Sequence, residues 1–203
     1  ALQNADLNNI KVSTPHASSV LSATASRPSK GTFSDDVKDT MNSILQFLQD
    51  HDSPFMVNVY PYFSYDRNGG PSALDYALFK STSPVVTDES LSYTNLFDAI
   101  VDTLLFAMES LGHSNLPIVV TESGWPSGGN DVATIENAQT HNNNLIKHVL
   151  SNAGTPKRPG STIETYIFAL FNENLKGGDE TEKHFGLFEP TTQQPLYPVN
   201  FTP

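Results

Sequence analysis

The sequence predicts an α/β chain, a parallel sheet whose strands are joined by crossover helices. Four short runs rich in β-branched and aromatic residues alternate with longer amphipathic stretches, as in strands that run parallel with helices between them. The strand runs are nearly continuous in apolar residues, as expected when both faces of a sheet are covered. Polar residues close three of these runs: Asn58 and Tyr60, then Glu122, then Asn172 and Glu173. In β/α barrels that is the end at which active sites assemble.

Each element follows from its own pattern. Ile10-Lys11-Val12-Ser13-Thr14 reads as the first strand, cut off by Pro15. After a Ser/Pro/Gly-rich connection, Ser34 is placed to cap a helix. Asp35 and Asp36 sit in its first turn, and Val37, Met41, Ile44, Leu45 and Leu48 share one face. Residues 55–60 form the second strand, stopped by Pro61. A polar and aromatic loop containing Asn68-Gly69-Gly70-Pro71 follows, and short elements near 77–79 and 84–86 are left without a type. Thr94 is placed to cap a helix striped by Leu96, Ile100, Leu104, Leu105, Met108 and Leu111, with Gly112 closing it. Residues 118–121 are the third strand. A helix from Thr134 to about residue 153 turns Ala138, Leu145, Ile146, Val149 and Leu150 inward. Residues 166–171 are the fourth strand, ahead of Phe185-Gly186-Leu187-Phe188 and a Pro-rich tail.

The 203 residues suit a single domain and fall short of the ~250 usual for a closed eight-stranded β/α barrel. A net charge of -11 opposes binding to nucleic acid or an anionic membrane and leaves an uncharged partner unaffected. Without cysteine there is no disulfide, thiolate zinc site or cysteine nucleophile. No apolar run approaches the ~20 residues of a membrane span. The six histidines lack HExxH spacing, so no metal is expected, and Ser123 lacks a Gly-x-Ser-x-Gly elbow. Gly128-Gly129 comes late after its strand and lacks a Lys, unlike a phosphate loop. The first residues do not read as a signal peptide and carry no initiating Met, so the front is expected to be processed or incomplete.

Glu122 is followed by a rigid turn, Ser123-Gly124-Trp125-Pro126-Ser127-Gly128-Gly129, with the next helix well downstream. Capping that helix therefore suits it less than chemistry. Cleavage of a glycosidic bond needs two flanking carboxyl groups, and on residues alone Glu122 and Glu173 are the natural pair. Glu182, Asp179 and Glu180 form an acidic loop that reads as solvated surface. Alternatively, Lys176 pairs with Glu173 or Glu122 and depresses a carboxylate pKa.

The run Val119-Val120-Thr121-Glu122-Ser123-Gly124-Trp125-Pro126-Ser127-Gly128-Gly129 resembles the signature of glycoside hydrolase family 17, the plant β-1,3- and β-1,3-1,4-glucanases. Val57-Asn58-Val59-Tyr60-Pro61-Tyr62-Phe63 and Glu164-Thr165-Tyr166-Ile167-Phe168-Ala169-Leu170-Phe171-Asn172-Glu173-Asn174 extend the resemblance. It implies a (β/α)8 TIM barrel, retaining hydrolysis of β-1,3-glucan and no cofactor. It implies Glu122 as nucleophile ending the seventh strand, and Glu173, Lys176 and Glu182 as auxiliary charged residues. Asn58, Tyr60, Phe63, Trp125, Phe171 and Asn172 are the implied substrate-binding residues.

The family's general acid lies in a Gly-Asn-Glu run ending the fourth strand. This chain has no such run, and Asn172-Glu173 matches the eighth strand instead. The match begins just before the fifth strand, so the chain is expected to cover strands 5–8, with strands 1–4 absent. Its open edges should pair with an N-terminal half-barrel or with a copy of itself, and alone it should be weakly active or inactive. Two other readings stand beside the enzyme: a non-catalytic β-glucan-binding or defence-associated protein, and a dimer-forming scaffold. The resemblance implies secretion to the cell wall or a vacuolar location, and the sequon Asn200-Phe201-Thr202 is consistent with that route.

Overall fold

The computed structural model describes residues 2–7, 9–22, 27–65 and 67–202. Its regular elements are β1 (Pro15–Ala17), α1 (Lys38–Asp50), β2 (Phe55–Asn58), α2 (Pro61–Ser64), α3 (Gly70–Ala77), β3 (Val86–Asp88), β4 (Leu91–Tyr93), α4 (Leu96–Ser110), β5 (Ile118–Ser123), α5 (Ile135–Leu150) and β6 (Glu164–Ile167). The predicted parallel sheet is present, with four strands in the order β1-β2-β5-β6. The strand order follows the chain except that β3 and β4 form a separate antiparallel hairpin.

One layer of helices covers one face of this sheet. Phe55 and Val57 of β2, and Ile118 and Val120 of β5, are buried among Met41, Leu45 and Leu48 of α1, Phe97, Leu104 and Met108 of α4, and Leu145 of α5. Each such side chain contributes about 1.5–3 kcal/mol of transfer free energy, which exceeds any single cap or turn in the fold. The Leu96–Met108 stripe produces α4 as expected, and Gly112 closes it at a φ of 88°. The N–H groups of Gly112 and His113 reach the carbonyls of Glu109 and Met108, a Schellman closure.

Several boundaries differ from the sequence reading. Pro15 opens β1 rather than ending it, and residues 11–14 join no ladder. Proline lacks an N–H, which costs nothing at the first residue of an outer strand. The Ser34 hydroxyl donates to the Val20 carbonyl at 3.1 Å instead of capping α1, which starts at Lys38 without a side-chain cap. Asn95 rather than Thr94 caps α4, accepting the Asp98 N–H at 2.8 Å. Leu150 is 38% exposed and not inward. The fourth strand ends at Ile167 because residues 169–172 leave β5 and exchange backbone hydrogen bonds with the 185–188 run. Part of the Ser/Pro/Gly-rich connection, residues 23–26, lies outside the described residues.

Candidate active site

Glu122 is aimed by an irregularity in β5. Val57 pairs with Val120, but the next residue of β2, Asn58, pairs with Glu122, so Thr121 is an extra residue. The β5–β6 ladder shows the same surplus, passing from Val120–Thr165 to Ser123–Ile167. Simple alternation from Ile118 and Val120 would send Glu122 into the helix layer. The bulge moves it by one and places it opposite Asn58, on the face away from the core, which is how bulges redirect side chains beside functional sites.

The surroundings of Glu122 come from neighbouring elements. Tyr60, just after β2, donates its hydroxyl to Glu122 Oε2 at 2.9 Å. Burial, then that hydrogen bond and the nearby charges of Glu122, Glu182 and Glu173, push the Tyr60 pKa far upward, so the phenol remains a donor. Thr121 Oγ1 donates to Asn58 Oδ1 at 2.7 Å, which orients the Asn58 amide beside the bulge. Lys176 Nζ lies 2.9 Å from Glu173 Oε2 and 3.2 Å from Glu182 Oε2. The Glu173 hydrogen bond leads in raising the Lys176 pKa, with Glu182 adding to it. The same ammonium stands 5.3 Å from the Phe168 ring centroid. Rings of Phe63, Phe168 and Phe185 surround Tyr60 at 5.5, 6.4 and 5.6 Å.

These contacts bring together Glu122, Tyr60 and Asn58 with the Glu173, Lys176 and Glu182 cluster, and leave Phe63 59% exposed beside them. Trp125 is a correction. Its side chain has no exposed surface, its Nε1–H donates to the Val132 carbonyl at 2.9 Å, and its ring packs on Tyr62, Tyr65 and His141. It supports the turn from beneath and offers no face to a sugar. Asn172 spends its Oδ1 on the Gly186 N–H at 2.9 Å, and Phe171 packs near Phe188. The sequence reading missed Thr121, Phe168 and Phe185 as neighbours of the site. Phe185 sits in the Phe-Gly-Leu-Phe run, and pairing that run with residues 169–172 would have pointed to it. Among the described residues no group of three or more His, Asp or Glu could hold a metal, and no helix is long and apolar enough to cross a membrane.

The family model for glycosyl hydrolases family 17 matches residues 1–201. The chain belongs to this family. A family 17 structure, CJP38, a β-1,3-glucanase and allergen of Cryptomeria japonica pollen, superposes with a TM-score of 0.92 at 74% identity, covering 99% of this chain and 62% of that one. One of two plant β-glucan endohydrolases with distinct substrate specificities gives 0.90 at 44% identity, over 98% and 63%. A glucan endo-1,3-β-glucosidase of Vitis vinifera is 51% identical over all of this chain and 58% of its own length. An acidic isoform from Zea mays is 54% identical, again over 58% of its length. The chain thus spans somewhat over half the length of these family 17 relatives, and its four parallel strands with their helices form part of the family's β/α barrel.

Proposed function

We propose that the chain carries the nucleophile side of a retaining endo-β-1,3-glucanase site, with Glu122 as the nucleophile. The observation that supports this most is the β5 bulge, which turns a half-buried carboxylate onto the open face and into reach of the Tyr60 hydroxyl. Relatives that match the whole chain are named glucan endo-1,3-β-glucosidases, which supports β-1,3-glucan as substrate.

In this reading a Glu122 oxygen attacks the anomeric carbon. The C–O bond to the leaving sugar breaks, its electron pair goes to the departing oxygen, and an acid protonates that oxygen. Water then hydrolyses the glycosyl ester, and two inversions retain the configuration. Tyr60 holds the carboxylate while the ester forms and breaks. Glu173 and Glu182 share the Lys176 ammonium, which suits the auxiliary charged role that the family resemblance implies for them. The resemblance places the general acid in a Gly-Asn-Glu run that these 203 residues do not contain, so in this reading the acid belongs to the complete protein. A binding-only role leaned on Trp125 as a sugar platform, and its burial removes that support.

An activated 2-deoxy-2-fluoro-β-laminaribioside bearing a dinitrophenolate leaving group needs no acid and tests the nucleophile alone. Peptide mass mapping should place the sugar on Glu122 and find none in Glu122→Gln. A label on Glu173 or Glu182 would overturn the assignment. On laminarin, which does need an acid, the 203-residue chain should release almost no reducing sugar. Release at the rate of a full-length relative, abolished by Glu122→Gln, would refute an external acid.

A further inference from the structure

The turn after Glu122 has a second surface that the hydrolytic reading leaves unused. Ser127 directs two donors at one acceptor, its N–H and its hydroxyl reaching the His184 carbonyl at 2.8 and 3.0 Å. A Cβ on Gly128 would lie 3.2 Å from His184 Cγ, so the imidazole rests directly on that residue. Gly129 has a φ of 111°, and a Cβ there would lie 2.7 Å from the N and Cγ2 of Thr181. Thr181 is 4% exposed, with its own N–H and hydroxyl held by Asp179 Oδ1 at 2.9 and 2.6 Å.

Glu182 sits between the two docked residues, Thr181 and His184. Its contact with Lys176 joins side chains that are 32% and 36% exposed. Pairs of that exposure are screened by solvent and contribute too little to hold a loop carboxylate in place. The backbone seating has to do so. We propose that Ser127, Gly128 and Gly129 are positioning residues that dock the 181–184 turn and so fix Glu182 on the Lys176 ammonium beside Tyr60 and Glu122. The consequence for catalysis rests on Glu122 as nucleophile, but the dock itself can be measured without sugar.

Trace acetylation of the 203-residue chain, read at Lys176 by peptide mass spectrometry, reports how much of that amine is free. Glu182→Gln should speed the reaction at Lys176 by about threefold, the size of effect a half-exposed ion pair gives when one partner is removed. Gly129→Ala should do the same, and combined with Glu182→Gln it should add nothing, because both remove one interaction. Ser127→Thr, which keeps the hydroxyl, should react at the parent rate, with Lys80 and Lys147 as unchanged references. Ser127→Ala, lacking one donor, replaces Gly129→Ala if the latter does not fold. Parent rates in the dock variants while Glu182→Gln reacts faster, additive effects in the double variant, or no response to Glu182→Gln would each overturn the proposal. An unlabelled Glu122 with the dock intact would sink only the hydrolytic reading.

Discussion

Trp125 shows what one buried aromatic does beside a site. Its ring fills space among Tyr62, Tyr65 and His141, and its indole N–H shares the Val132 carbonyl with the Asn137 amide. Trp125→Ala should therefore cost about 3–5 kcal/mol in urea denaturation, mostly as cavity, since Asn137 still satisfies that carbonyl. A cost under ~1 kcal/mol together with lost laminari-oligosaccharide binding would return Trp125 to the sugar side. The sequence identifies an aromatic after a strand but not which side of the turn receives it. Glu122 was legible as a polar residue at a strand end. Its direction was not, because the bulge at Thr121 reverses the alternation that sequence patterns rely on.

At the scale of elements, α4 and α5 each bury a titratable group, with opposite consequences for pH. Asp102 on α4 has no exposed surface, and burial raises its pKa from 3.8 to about 6 even though the Lys157 N–H donates to its Oδ2 at 2.9 Å. The fold therefore favours its protonated form, and that contribution, present below pH 3.8, is lost as pH rises towards 6. His141 on α5 is also fully buried, and desolvation lowers its pKa from 6.5 to about 4. Its contribution is present above pH 6.5 and is lost as pH falls towards 4. Each is worth on the order of 3 kcal/mol when fully expressed. Relative to the parent, Asp102→Asn should gain thermal stability between pH 4 and 6, and His141→Gln should gain it as pH falls from 6.5 to 4. Melting curves for both variants that run parallel to the parent across pH 4–7 would contradict both shifts. The leucine stripe of α4 could be read from its period. Asp98 and Asp102 on the buried side could not, because charged residues are assigned to solvent unless their partners are known. The β3–β4 hairpin escaped because three-residue strands carry almost no periodic signal.

Across the whole molecule, the four βα units could be read because each is local, whereas how the sheet is completed is not a local property. Among the described residues β1 pairs only with β2, and β6 only with β5. The face away from the helices carries Met56, Asn58, Val119, Glu122 and Tyr166, of which Val119 is buried and Tyr166 is 54% exposed. Unpaired strand edges recruit further strands, and the exposed Tyr166 ring adds apolar surface beside one of them. The 58% span of the Vitis and Zea relatives indicates how much more chain such a barrel uses. In solution as 203 residues, the protein should therefore associate with itself, and sedimentation velocity should show a concentration-dependent species larger than 22.2 kDa. Tyr166→Lys, a charge on the outer strand's open face, should shift that equilibrium towards monomer. A parent chain that stays monomeric at all concentrations while remaining folded would mean that the exposed face and its two edges are stable in water, and that the sheet needs no further strands to persist.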